Sequence, residues 1–323
     1  MLTNKQVAGI NRPLQLLILQ LTHIQRKYSM SVGTIAVLMP GDMGHAVGRA
    51  LRDHGYRVVT NLTGRSSHSK NLAQAGGLED VGAISEIISQ ADLILSILPP
   101  ASAPTLARDI ADEMAQQDRK PVYVDCNAIS PETAQAVGRT ITESGATFID
   151  AGIIGATPGK GAGPRFYVSG PDVQPMLELN GKGFQVLQAG GNVGEASAVK
   201  MVYAAMTKGT WTLQTALMMA AQRLGVRDTL IAELEHSQNA TLMAMRARIP
   251  FLPADSARWV GEMEEIAATF EQAGVTPDFH KGAADIFRIL EQTPYAEETR
   301  ADMDASRSLE EALEAYVQYL PKS

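Results

Sequence analysis

The chain has 323 residues, of which 45% are hydrophobic and 20% charged, with 28 Lys or Arg against 35 Asp or Glu and a formal net charge of −7. At about 150 residues per domain this is room for two domains, and the apolar content argues against extended disorder. The single cysteine, Cys126, excludes an internal disulfide framework and a cysteine-ligated zinc site, no apolar run is long enough to span a bilayer, and the net charge disfavours nonspecific nucleic-acid binding.

Residues 1–31 read as an N-terminal extension. They hold no acidic residue, only Lys5, Arg12, Arg26 and Lys27 among the charged ones, and Leu14, Leu17, Ile18, Leu21 and Ile24 recur at helical spacing. Two readings stay open: a mitochondrial transit peptide, acid-poor, basic and amphipathic, or an extension without function. The expected location is cytoplasmic, with mitochondrial as the alternative.

A nucleotide-binding pattern follows. The β-branched apolar run at 34–39 reads as a buried strand. Pro40, Gly41, Asp42, Met43 and Gly44 form a turn, a helix follows over 45–54, and 57–62 reads as the next strand. Glycine is needed where backbone N–H groups approach a pyrophosphate at a helix N-terminus. The first glycine of G-x-G-x-x-G is replaced by Met39. The second strand ends in Asn61-Leu62-Thr63-Gly64-Arg65-Ser66. No carboxylate stands there for a ribose 2′-hydroxyl. A guanidinium among hydroxyls suits a 2′-phosphate, so the pattern predicts NADP(H).

Strands at 91–98, 122–126 and 146–151 alternate with helices at 103–114 and 131–144, the signature of a doubly wound, mainly parallel sheet. Ligands sit beyond the carboxyl ends of such strands, where Leu98, Pro99, Asn127 and Ser130 fall. A loop at 155–164 and two short strands near Phe166 and Val186 complete this half. Beyond Gly194 only helices are predicted: one long helix over 196–224, then 229–237, 257–272, 277–291 and 309–319. This part holds 12 Lys or Arg against 19 Asp or Glu, so the whole net charge lies in it. Along the long helix Lys200, Tyr203, Thr207 and Trp211 share roughly one face. A desolvated amine there suits acid–base work; an ordinary solvated lysine is the other reading, and Lys208 is a rival. The histidines form no metal-binding pair, and no metal site is predicted.

Four segments resemble the β-hydroxyacid dehydrogenases, the group that includes 3-hydroxyisobutyrate and 6-phosphogluconate dehydrogenases: 39–44, 96–99, 150–155 and 194–200. The residues 125–131, 200–204 and 208–209 resemble a subgroup with a distinct C-terminal domain. The resemblance implies an α/β Rossmann domain over 32–193 and an all-α domain over 194–323 that binds substrate and forms a homodimer. It implies that Lys200 exchanges the substrate proton as hydride moves to or from nicotinamide, that Asn127 and Ser130 lie at the nicotinamide and substrate, and that Ile154, Gly155 and Tyr203 lie at the substrate. Two departures stand out. Ile154 replaces a serine, and Ala204 replaces an asparagine four residues after the lysine. The implied activity is NADP(H)-dependent interconversion of a hydroxyl and a carbonyl on a small acidic molecule. An imine or enamine reductase and a noncatalytic NADPH-binding protein are the alternatives. No membrane partner is expected.

Overall fold

The computed structural model describes residues 32–299 and 302–321. The readings for residues 1–31 lie outside the described residues. By its contacts the chain divides into Met1–Gly33 and Thr34–Ser323, and the second unit holds the sheet and all the helices named below.

The sheet begins with β1 (Thr34–Leu38), followed by α1 (Asp42–Asp53), β2 (Arg57–Thr60), α2 (Ser67–Gly76), β3 (Glu79–Asp80), α3 (Ile84–Gln90) and β4 (Leu93–Ser96). It continues through α4 (Ala103–Ala115), β5 (Val122–Asp125), α5 (Pro131–Glu143), β6 (Phe148–Ile154), β7 (Arg165–Ser169), α6 (Gln174–Leu177) and β8 (Gln185–Gly190). The eight strands lie in the order β3-β2-β1-β4-β5-β6-β7-β8. All neighbours are parallel except β6 and β7. The chain returns antiparallel after β6 through the glycine-rich loop 155–164, in which Gly155, Gly159, Gly161 and Gly163 all adopt positive φ.

Strand identity follows from two-sided burial. Ile35, Ala36, Val37 and Leu38 are all buried, as are Leu93, Ile94 and Leu95, because helices cover both faces of a parallel sheet. One core joins Ile94 and Tyr123 to Ile110, Val137 and Phe148.

The helical part consists of α7 (Glu195–Arg223), α8 (Arg227–Ser237), α9 (Asn239–Arg248), α10 (Pro253–Gln272), α11 (Asp278–Glu291) and α12 (Leu309–Tyr316). The 29-residue α7 has a weak amphipathic pattern because it serves two cores. Its first turns lie on the sheet, and its later turns join a second core with Met219, Trp259, Met263, Phe287 and Tyr316. No element is expected from the sequence for α2, β3, α3 or α6, and two elements of the helical part also differ from that expectation. The helix expected at 257–272 starts at Pro253, where proline suits the first helical position. Helix α9 was not expected at all; its apolar pattern is weak, and only Leu242 and Met245 are buried.

No described helix is long and apolar enough to cross a membrane, and no group of three or more metal-ligating side chains occurs among the described residues.

Candidate active site

The site is built where β1, β4 and β5 end. After β1 the chain turns at Met39, which adopts φ +61°. That left-handed backbone is the geometry a glycine would take, so Met39 supplies the turn although the first glycine of the motif is missing. The Gly41 N–H then donates to the Met39 carbonyl at 2.8 Å. Helix α1 starts without a side-chain cap, which leaves its first N–H groups free for an anion. Gly44 is buried on its first turn, and a Cβ there would lie 2.8 Å from the Met39 oxygen. Pro40 is buried, Met43 half-buried and Asp42 exposed.

Beyond β2, Thr63 Oγ1 donates to the Gly82 carbonyl and Gly64 takes φ +71°. Ser66 is engaged as the cap of α2, accepting from the Ser69 N–H. Arg65 swings back over the β1 turn, with Nη1 3.3 Å from Met39 Sδ. Its Nε is buried with no hydrogen-bond partner among the described residues. The nearby Asp80 carboxylate accepts from the Leu62 and Gly82 N–H groups. The cradle closed by Gly44 and the orphaned Arg65 Nε both fit a phosphate-bearing dinucleotide.

At the ends of β4 and β5, Asn127 is a hub. Its amide donates to Ser96 Oγ and Asp125 Oδ2, both at 3.0 Å, and its oxygen accepts from the Leu98 N–H at 2.7 Å. Both donors are spent on the scaffold, so Asn127 fixes the Leu98-Pro99 turn. The acceptor of one of those bonds, Asp125, is fully buried, and burial raises its carboxyl to about 7. Ser130 caps α5 with its hydroxyl, and its N–H donates to Glu265 Oε2 of α10 at 2.6 Å. Thr133 Oγ1 donates to the same oxygen at 3.0 Å. Ser130 thereby ties the sheet to the helical part.

Helix α7 is anchored by the sheet and has no cap of its own. Asp150 Oδ2 accepts from the N–H groups of Gly194 and Ser197 and from Ser169 Oγ, and Oδ1 accepts from Ser197 Oγ at 2.6 Å. Burial raises the Asp150 carboxyl and these donors oppose the rise. Two residues on, Gly152 lies under the helix: a Cβ there would meet Lys200 Cβ at 2.7 Å. The missing side chain lets Lys200 pack directly over β6.

Lys200 is half-buried. Desolvation, then the positive charge of Lys208, brings its ammonium down to about 8, and Glu262 partly opposes this. Lys208 is buried and ion-paired with Glu262 at 2.7 Å. Glu262 also meets Arg258 Nη1 at 3.4 Å, and Arg258 Nη2 meets Asp255 at 2.7 Å. Asp42 of the cradle lies within electrostatic reach of Arg258. Residues 258, 262 and 265 fall on one face of α10, and that face closes the site from the helical side.

Tyr203 is 44% exposed, and its side chain makes no hydrogen bond among the described residues. Ile154 is buried and Gly155 is exposed at φ +116°. Trp211 packs at a tilt against Trp259, ring centroids 5.5 Å apart, with the Arg248 guanidinium 3.9 Å from its ring, in the helical core. Sequence reasoning missed Arg258, Glu262 and Glu265. Their spacing reads as a solvated helix face, and the one available signal was that Trp259, Met263 and Ile266 interleave with them as core positions.

Comparison with known proteins places this geometry. The family described as the NAD binding domain of 6-phosphogluconate dehydrogenase matches residues 34–191. A domain of unknown function, DUF1932, matches residues 221–290. An uncharacterized 28.5 kDa protein of Methanothermus fervidus is 25% identical over 253 residues, covering 78% of this chain and 96% of the relative. The 3-hydroxyisobutyrate dehydrogenase of Pseudomonas aeruginosa is 31% identical over 157 residues, 46% of this chain and 51% of the relative. A solved conserved protein of unknown function, described as structurally similar to 3-hydroxyacid dehydrogenases, shares 27% identity with a TM-score of 0.60, covering 80% of this chain and 96% of that one. Over 34–191, just under half of its length, the chain is thus similar to the NAD binding domain of 6-phosphogluconate dehydrogenase, and a stretch matching DUF1932 follows it at 221–290.

Proposed function

We propose that this protein is an NADP(H)-dependent oxidoreductase that interconverts a hydroxyl and a carbonyl on a small acidic substrate. The single observation that carries the reading is Lys200: an amine with its proton affinity lowered to about 8, half-buried over Gly152 beside the cofactor-side strand ends. A general acid–base works best with a pKa near the working pH.

When bound, the nicotinamide supplies or accepts the hydride. Lys200 takes the hydroxyl proton during oxidation and returns it during reduction. The α1 N-terminus and Gly44 hold the pyrophosphate, and Arg65 with Thr63, Gly64 and Ser66 surrounds the 2′-phosphate. Asn127 holds Leu98 and Pro99 at the nicotinamide end. The acidic substrate binds beside Lys200, with Ser130, Ile154, Gly155 and Tyr203 on its margin, while Lys208 and Arg258 are held by Glu262 and Asp255.

The protein is also proposed to work as a homodimer. Val202, Met206 and Leu213 of α7 and Phe279 of α11 are exposed apolar residues, and an apolar groove of about 520 Å³ runs between these helices. Light scattering at micromolar concentration reads the oligomeric state directly.

The test of the activity is a panel of small hydroxy acids with NADP+ and of oxo acids with NADPH. Turnover on at least one pair is expected. Turnover only on imines, or none beside tight cofactor binding, would replace the reading with one of its alternatives.

A further inference from the structure

Helix α5 opens with Ser130, Pro131, Glu132 and Thr133. Ser130 is its cap, and the hydroxyl accepts from the Thr133 N–H at 3.2 Å. In a capping box the residue at the position of Thr133 is Glu or Gln, and its side chain reaches back to the N–H of the capping residue. Helix α12 carries such a box complete, with Ser308 and Glu311. A threonine is too short to return that bond. In α5 the Ser130 N–H instead donates to Glu265 Oε2 at 2.6 Å, and Thr133 Oγ1 donates to the same oxygen at 3.0 Å. The carboxylate that completes the box therefore comes from α10, in the helical part. There the half-buried Glu265 is matched by the α5 N-terminus.

The tie has a place in the site. Three residues earlier on α10, Glu262 pairs with Lys208 of α7 at 2.7 Å, and positions three apart share a helix face. One turn of α10 thus joins the helix that carries Lys200 to the end of β5. Ala128, between Asn127 and Ser130, packs on the core of the helical part. Helix α10 also lies against residues 100–102, just past Leu98 and Pro99. Lys200 is placed separately, over Gly152 of β6.

We propose that Glu265 is a positioning residue: by completing the α5 capping box from the other part of the molecule, it holds α10 as the wall that closes the substrate site over the ends of β4 and β5. The role rests on the proposed function for what the wall encloses. Because Lys200 is held over β6 and not by α10, a loosened wall weakens substrate capture more than the acid–base step.

The experiment separates the cap from the tie. Glu265→Ala and Glu265→Leu each remove both. Thr133→Glu, added to either, gives α5 a box of its own and leaves the tie broken; two such pairs keep the comparison intact if one variant misfolds. The single variants are expected to melt a few degrees below the wild type, and the double variants to regain most of that. In all four, KM for the best substrate is expected to rise about tenfold or more, with kcat within about threefold of the wild type. KM that recovers with the melting temperature in the double variants would show that Glu265 only caps α5, and overturns the proposal. So does a KM that never moves. Hydrogen exchange of residues 253–272 reads the tie without a substrate: exchange faster than wild type is expected in the double variants, and wild-type exchange overturns the proposal. Faster exchange without any hydroxyl–carbonyl turnover would uphold the tie and sink the proposed function. Turnover with wild-type exchange would do the reverse.

Discussion

A methyl group at Gly44 would sit 2.8 Å from the Met39 carbonyl oxygen, and neither backbone can yield cheaply because Met39 is already at φ +61°. Gly44→Ala is expected to cost about 1–3 kcal/mol of stability and to abolish the rise in melting temperature that cofactor gives. A variant that melts and binds like the wild type would show that the turn is not a phosphate cradle. Arg65 makes a separate prediction. A ligand at one hundred times its Kd adds about 2.7 kcal/mol to stability, so melts with NADPH and NADH compare affinities directly. NADPH is expected to stabilise the wild type more, and Arg65→Ala to lose most of that difference while NADH binding persists. A wild type that prefers NADH contradicts the role given to Arg65.

At the scale of elements, the start of α7 matters most, because it carries Lys200. Asp150 serves two of its N–H groups and two buried hydroxyls. Asp150→Ala strands all four donors. Unsatisfied buried donors cost about 1–3 kcal/mol each before relaxation, so urea denaturation is expected to show a loss of several kcal/mol. A loss below about 1 kcal/mol would mean that the helix is held elsewhere. The sequence announced α7 to within a residue or two at each end, since a stretch this long without proline, ended by Gly225, exceeds any strand. It announced β1, the turn and α1 for the same kind of local reason. It did not announce that β6 and β7 run antiparallel, because a glycine-rich loop signals a turn without saying in which direction the chain leaves it. Nor did it reveal that Glu262 is buried. Side-chain charge is local information, but the Lys208 that pairs with it comes from α7, more than fifty residues earlier, and only Arg258 is a near neighbour in sequence.

The whole molecule carries −7, all of it after Gly194, yet that same acidic half supplies Lys200, Lys208 and Arg258 to the site. Net charge is thus a poor guide to the site, where Lys208 and Arg258 are paired with Glu262 and Asp255. The interior also titrates. Burial raises the Asp125 carboxyl to about 7, against about 3.9 for an unfolded aspartate. The folded chain then holds this proton more tightly than the unfolded one. Its contribution is present in full below about pH 4 and is lost as pH rises to about 7. Asp125→Asn is expected to flatten the fall in melting temperature across that window; an unchanged slope would mean that Asp125 is ionised throughout. The central claim is the chemistry of Lys200, and Lys200→Met tests it most directly. With the best substrate from the panel, NADPH-dependent turnover is expected to fall about 10²–10⁴-fold while the NADPH-induced rise in melting temperature stays. Full turnover in that variant would contradict the account.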